Sequence, residues 1–275
     1  MMRGMVERAA AIAVGMVMMA CSAERLPEAS KPVDEPTARK EEVAVDQLTY
    51  TVVATLPHDD KSFTQGLVVD DGHFLETTGQ VGKSTLRRVN IATGKVEKSI
   101  PLESHVFGEG MTVKGDEIFV LTWLHQRGYV FDRRTFEKRR TFSYSGEGWG
   151  LTTDGNNLYM SNGTNVITVH DPSTFAVLRS LPVTLSGRPL GDLNELEWID
   201  GMIWANVWRT DLIVRIDPSN GKVTAVADLT GLLPFAQRTV ETDVLNGIAW
   251  DAANKALYVT GKNWPHVYRI DVRRK

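Results

Sequence analysis

From residue 65 onward the chain alternates short apolar stretches with turns rich in Gly, Asp and Asn, and the alternation repeats. Five segments fall into one register: QGLVVDDGHFLETTG from Gln65, EGMTVKGDEIFVLTW from Glu109, WGLTTDGNNLYMSNG from Trp149, NELEWIDGMIWANVW from Asn194 and NGIAWDAANKALYVTGK from Asn246. Each reads as a strand, a tight turn and a second strand of aromatic and β-branched residues, which is the signature of a hairpin. A third strand follows each hairpin (TLRRVNIATG, YVFDRRTFEK, VITVHDPSTF, LIVRIDPSNG, HVYRIDVRRK), and a fourth follows in the first four units. A four-stranded unit recurring every forty to fifty-two residues predicts a radial array of sheets. A β-sandwich with as many strands would not repeat the phrase. The chain is therefore expected to be all-β, a five-bladed β-propeller.

The fifth unit reaches Lys275 without a fourth strand, while TYTVVATLP at 49–57 has the pattern of the fourth strands. The N-terminal strand is expected to complete the last blade, which closes the ring and removes a free sheet edge. The folded domain spans 48–275 in this reading.

In a propeller the first strand of each blade lines the central axis. By register, Gln65, Glu109, Trp149, Asn194 and Asn246 should converge at one mouth of the channel. The second hairpin strand returns to the same face, bringing Trp123, Trp208 and Lys262. Packing alone would favour one small residue repeated in every blade. A carboxylate, a lysine, amides and tryptophans gathered at one mouth suggest a site, and Glu109 is the one acid among the axial positions. Apolar walls raise the proton affinity of a carboxyl, as a general acid–base requires. The neighbouring Gly108 and Gly110 would permit close backbone approach or a positive φ. Aspartates of the third strands, Asp171, Asp217 and Asp271, read as turn residues bonding their own backbone.

Composition narrows the field. With 42% hydrophobic and 24% charged residues the chain has material for a large core, and a net charge of −3 gives no reason to expect nucleic acid as a partner. The six histidines are scattered, with no HExxH and no Cys/His pairing, so no catalytic zinc site and no cofactor are expected, while a structural ion in the channel stays open at this point. No GxSxG elbow, P-loop or dinucleotide fingerprint is present. The single cysteine, Cys21, follows an arginine-bearing start and the apolar run AAAIAVGMVMMA, too short to span a bilayer. Residues 1–21 thus read as a bacterial lipoprotein signal with acylated Cys21, and 22–47, rich in Pro, Glu, Lys and Ala, as a flexible tether. The expected protein is an exported monomer at the periplasmic face of a membrane, held only by its lipid; a plain secretory signal would instead release it as a soluble periplasmic or secreted protein.

Several phrases together resemble a known family. PHDDKSFTQGL (57–67), FGEGMT (107–112), EGWGLTTDG (147–155), LNELEWIDGMIWANVWRTDLIVRIDP (193–218), LNGIAWD (245–251) and YVTGKNWP (258–265) are similar to the plant-type glutaminyl-peptide cyclotransferases, which also occur in bacteria. The resemblance covers essentially all of 48–272 and implies a five-bladed propeller. It implies cyclisation of the N-terminal glutamine of peptides or proteins to pyroglutamate with loss of ammonia, without metal. By matching motif it implies Glu109 as the catalytic acid–base, with Phe63, Gln65, Phe107, Trp123, Trp149, Asn194, Trp208 and Lys262 forming the substrate pocket. Seven of these nine positions are those the repeat register singles out; Phe63 and Phe107 stand two residues earlier. Ser161-Asn162-Gly163 departs from the Ser-Asp-Gly expected of the family, leaving a role for that acid in doubt. Which of Lys262, Asn194 and Gln65 supports the oxyanion stays open at this point. Two other readings compete: a lactonase-like, metal-dependent propeller hydrolase, and a non-enzymatic propeller that binds peptide or glycan at its aromatic mouth.

Overall fold

The computed structural model describes residues 44–275; the signal-type segment with Cys21 and most of the tether lie outside the described residues. The first strand, β1 (Asp46–Pro57), is set apart in sequence from the rest. Blade one holds β2 (Thr64–Asp70), β3 (His73–Thr78), β4 (Thr85–Asn90) and β5 (Val96–Pro101). Blade two holds β6 (Gly108–Lys114), β7 (Glu117–Thr122), β8 (Arg127–Asp132) and β9 (Lys138–Ser143). Blade three holds β10 (Leu151–Thr153), β11 (Leu158–Met160), β12 (Val166–His170) and β13 (Val177–Pro182), and is followed by a small hairpin of β14 (Thr184–Leu185) and β15 (Arg188–Pro189). Blade four holds β16 (Leu193–Ile199), β17 (Met202–Val207), β18 (Leu212–Ile216) and β19 (Val223–Asp228). Blade five holds β20 (Leu245–Asp251), β21 (Ala256–Gly261) and β22 (His266–Arg274), and its fourth strand is β1.

The inner strands close a ring: β2 neighbours β6 and β20, β10 neighbours β6 and β16, and β16 neighbours β20. Apolar side chains alternate to the two faces of each sheet, so the core lies between blades rather than within one. Five buried clusters fill the five interfaces. Between blades one and two, for instance, Leu75 and Leu86 meet Met111, Ile118 and Val120.

Closure by β1 follows the sequence-based expectation and goes further. Residues 48–57 pair antiparallel with β22, while Asp46, Gln47 and Leu48 pair parallel with β19. Blades four and five thereby become one eight-stranded sheet. The strand starts two residues before Leu48, and Asp46 earns its place there: its carboxylate lies 2.6 Å from Arg274 of blade five and 3.3 Å from Arg215 of blade four.

The inner strands share a second device. Pairing in the first hairpin shifts by one residue between Thr64 and Gly66, Gly108 and Met111, Leu193 and Leu196, and Leu245 and Ile248. Each is a β-bulge, which bends a strand and re-aims its side chains. The residues enclosed are Gln65, Glu109, Asn194 and Asn246 with their neighbours, so a bulge opens the inner strand in four of the five blades.

The glycines of FGEG serve close approach; neither adopts a positive φ. The Gly110 N–H donates to the Trp149 carbonyl at 2.6 Å, and a Cβ at Gly110 would lie 2.4 Å from that oxygen. Asp171 and Asp217 accept backbone N–H bonds from their own turns, from Ser173 at 2.9 Å and Ser219 at 2.8 Å. Asp271 differs from expectation: it stands inside β22, opposite Thr51.

Candidate active site

The mouth opens into a cavity of about 360 Å³ lined by Phe63, Gln65, Phe107, Glu109, Trp123, Trp149, Asn194, Trp208 and Lys262, together with Arg209, Asp243 and Val244. All nine residues singled out in the sequence therefore meet in one place. Gln65, Glu109 and Asn194 arise from the bulged inner strands β2, β6 and β16. Trp123, Trp208 and Lys262 follow directly on β7, β17 and β21, Phe63 and Phe107 directly precede β2 and β6, and Trp149 stands two residues before β10.

The floor is polar and buried. Gln65, Glu109, Asn194 and Lys262 are all at most 5% exposed. The Gln65 amide donates to Glu109 Oε1 at 3.0 Å, and Thr77 Oγ1 donates to the Glu109 backbone carbonyl at 2.6 Å. Glu109 Oε2 has no hydrogen-bond donor among the described residues and remains available to a ligand. Burial raises the proton affinity of Glu109 well above that of an ordinary carboxyl; Lys262 acts against the rise and the Glu147 charge adds to it. Burial lowers the proton affinity of Lys262, against the pull of Glu109 and Asp243. The Lys262 ammonium makes no ion pair within 4.0 Å among the described residues and lies 4.9 Å from the Phe63 ring centroid.

The walls are aromatic. Phe63 meets Phe107 edge to face with centroids 6.0 Å apart, and Phe107 meets Trp123 at 5.7 Å. Trp149 meets Trp208 at 5.3 Å, nearly perpendicular, and the Arg209 guanidinium lies 4.0 Å over the Trp208 ring. Gly163 at φ +79° lets Trp149 lie close: a Cβ there would come within 2.6 Å of the indole. Its neighbour Asn162, the departure from the expected motif, accepts the Thr164 N–H at 3.1 Å in its own turn and does not line the cavity.

Asn246 departs from its expected place at the mouth. It is fully buried and outside the cavity, donating to the Thr64 carbonyl at 2.9 Å and lying 3.4 Å from the Gln65 side-chain oxygen. The channel also contains more acid than the axial register suggests. Glu195 and Glu197 on β16 are buried below the site. Glu195 accepts the backbone N–H of Ile248 at 2.8 Å, and Glu197 that of Trp250 at 2.8 Å. These carboxyls bond inner strands of adjacent blades. Burial dominates both: it raises Glu195 well above its ordinary value, helped by Glu197, and pushes Glu197 up to about 8.

Behind Phe63 and Gln65 lies a polar knot that the sequence reading missed, although three of its residues, His58, Ser62 and Thr64, stand in PHDDKSFTQG. Glu76 Oε1 sits 3.1 Å from His58 Nε2 and accepts Thr64 Oγ1 at 2.7 Å and the Ser62 hydroxyl. Burial opposes a charged Glu76, yet His58, with Arg87 and Ser62, outweighs it and holds the carboxyl down to about 2. Backbone bonds from His58 to Pro265 and from Asn263 to Ser62 tie this segment to the loop carrying Lys262. Arg209, Asp243 and Val244 were also missed: Arg209 follows Trp208 in the conspicuous ANVW phrase, whereas Asp243 and Val244 lie in an irregular connection with no repeat signal.

Comparison with known proteins agrees with this geometry. The family model described as glutamine cyclotransferase matches residues 19–272. The chain belongs to the glutamine cyclotransferase family. It is 42% identical over 229 residues to a glutaminyl-peptide cyclotransferase of Arabidopsis thaliana, covering 81% of this chain and 71% of that one. It is also similar to the crystal structure of a glutaminyl cyclase from Myxococcus xanthus, with a TM-score of 0.79 and 33% identity over 84% of this chain and all of the other. As for the lactonase-like reading, no three His, Cys, Asp or Glu side chains among the described residues cluster as a metal site would require. In this glutamine cyclotransferase the ionisable groups facing the cavity are instead one carboxyl and one amine, with Arg209 and Asp243 at the rim.

Proposed function

We propose that this chain converts the N-terminal glutamine of peptides and proteins to pyroglutamate with release of ammonia, and that Glu109 moves the protons. The carrying observation is a buried carboxyl of raised proton affinity on the floor of an aromatic cavity, held by Gln65 on one oxygen and open on the other.

The reaction joins the α-nitrogen to the side-chain Cδ and breaks the bond from Cδ to the amide nitrogen. The attacking amine must be neutral, and the leaving nitrogen must gain a proton. Glu109 is placed to take a proton from the amine through its free oxygen and return it to the departing ammonia, so protons balance without any other reactant. The five aromatic walls fold the glutamine side chain back toward its own amine and exclude water, turning a floppy chain into a near-attack geometry. Negative charge growing on the carbonyl oxygen needs donors. Asn194, whose amide makes no hydrogen bond to the described residues, and the Lys262 ammonium both face the cavity, whereas one of the two N–H groups of the Gln65 amide is already engaged with Glu109. This favours Asn194 and Lys262 as the oxyanion donors.

The signal-type start supports a second element of the proposal: acylation at Cys21 and action at the periplasmic face of a bacterial membrane, on peptides that reach that compartment.

The activity is tested by incubating the folded domain with a Gln-initiated peptide and following mass and ammonia release. Loss of ammonia from the peptide is expected; an unchanged peptide with a folded domain overturns the proposal.

A further inference from the structure

Glu147 stands two residues before Trp149 in the EGWG phrase and does not line the cavity. Its Oε2 accepts the indole N–H of Trp123 at 2.6 Å and the indole N–H of Trp149 at 2.8 Å. One carboxylate oxygen therefore pins two walls of the cavity from outside, and the two belong to different blades: Trp123 ends the first hairpin of blade two, and Trp149 opens blade three.

The two indoles depend on this contact unequally. Trp149 is also held by Trp208 and by close packing on Gly163. Trp123 is 38% exposed, and apart from Glu147 its aromatic support is an edge contact with Phe107. Its N–H has no other acceptor among the described residues. A tryptophan so exposed has free rotamers unless something fixes it, and a charge-assisted bond does so more strongly than a neutral one. The carboxylate also stands near enough to Glu109 to act on it through space.

We infer that Glu147 is a positioning residue for this site: its carboxylate clamps Trp123 and Trp149 into a wall that receives the substrate's glutamine. The inference rests on the proposed cyclisation, with Glu147 acting through other residues and not on the substrate itself. The charged and titratable groups facing Glu109 are Glu147 from the segment before β10, Lys262 from the end of β21 and the Tyr144 hydroxyl after β9. Lys262 opposes Glu147, so removing the Glu147 charge leaves the lysine unopposed and lowers the proton affinity of Glu109.

The clamp is tested with Glu147→Ala and Glu147→Gln in the folded domain. Glu147→Ala removes both bonds, so KM for a Gln-peptide is expected to rise about tenfold, with kcat changing less than KM. Glu147→Gln keeps a carbonyl acceptor of similar shape without charge. Its KM should rise less, but the acidic limb of its kcat/KM profile should move to lower pH. A purely structural role would not shift that limb. A proton–nitrogen NMR spectrum supplies a readout independent of turnover: the Trp123 and Trp149 indole signals, assigned by substitution, should move upfield in both variants. Wild-type KM, pH profile and indole signals in both variants would overturn the clamp. Failure of the wild-type domain to release ammonia would instead overturn the proposed reaction, leaving the NMR result to judge the clamp alone.

Discussion

Gln65 of blade one reaches across to Glu109 of blade two and donates its amide to Oε1 over 3.0 Å. That bond fixes one oxygen of the carboxyl and leaves the other facing the cavity. The same glutamine is backed by Asn246 of blade five, so three inner strands determine where one proton-carrying group stands.

Glu109→Gln keeps the size of the side chain and an acceptor for Gln65 but cannot exchange a proton. Turnover of a Gln-peptide should fall by roughly 10²- to 10⁴-fold, as for a lost general acid–base, while circular dichroism shows an intact fold. Glu109→Asp, one methylene shorter, should retain partial activity. Steady-state ammonia release decides; a Glu109→Gln enzyme within a few-fold of wild type would remove Glu109 from the chemistry.

Trp208 packs perpendicular to Trp149 and carries Arg209 on its face. Trp208→Ala deletes that wall and releases the guanidinium. KM should rise by about ten- to a hundredfold, the worth of one large apolar side chain covered by substrate. The variant should lower kcat as well if the folded pose of the glutamine is lost. An unchanged kcat/KM would assign Trp208 to packing alone.

Stability should decline toward alkaline pH. The folded-state Glu197 titrates near 8 against an ordinary value of 4.5, and Glu195 is raised in the same direction. The folded state therefore binds more protons than the unfolded chain between these values. Their contribution is full below about pH 4.5 and is lost as pH rises toward 8. Urea unfolding across this range should show the decline, and Glu197→Gln, which stays neutral, should flatten it. An equally steep decline in that variant would mean that other groups dominate.

The ends of β1 should separate two effects. Removing residues 1–43 leaves the Asp46 pairs with Arg215 and Arg274 in place and should not change thermal stability. Removing residues through 57 exposes the edge of β22 and uncouples it from β19, and should yield aggregation or unfolding. A folded monomer from the longer deletion would contradict closure by this strand.

Cys21→Ser should release the full-length chain from membranes into the soluble fraction after export, because an acyl anchor is the only attachment the reading provides. Fractionation with an antibody to the domain measures it. Equal membrane retention of mutant and wild type would set the lipid anchor aside.

The blade count, the closing strand and seven of the cavity residues were legible in the sequence because each depends on local pattern, while Phe63 and Phe107 came from the family resemblance. Hairpin alternation and turn residues act over a few positions, and equivalent positions of a repeat meet by rotation about one axis. Register thus places Glu109, Trp123 and Lys262 at one mouth. What the repeat does not encode is how neighbouring blades touch. The hold of Glu147 on two indoles, the reach of Asp46 to blade four, the burial of Glu195 and Glu197 against strands of other blades, and the retreat of Asn246 below the cavity all depend on contacts between residues distant in sequence. The angle between blades and the bulges in their inner strands set those contacts. No local alternation of apolar and polar residues carries that information, so only the tertiary structure decided them.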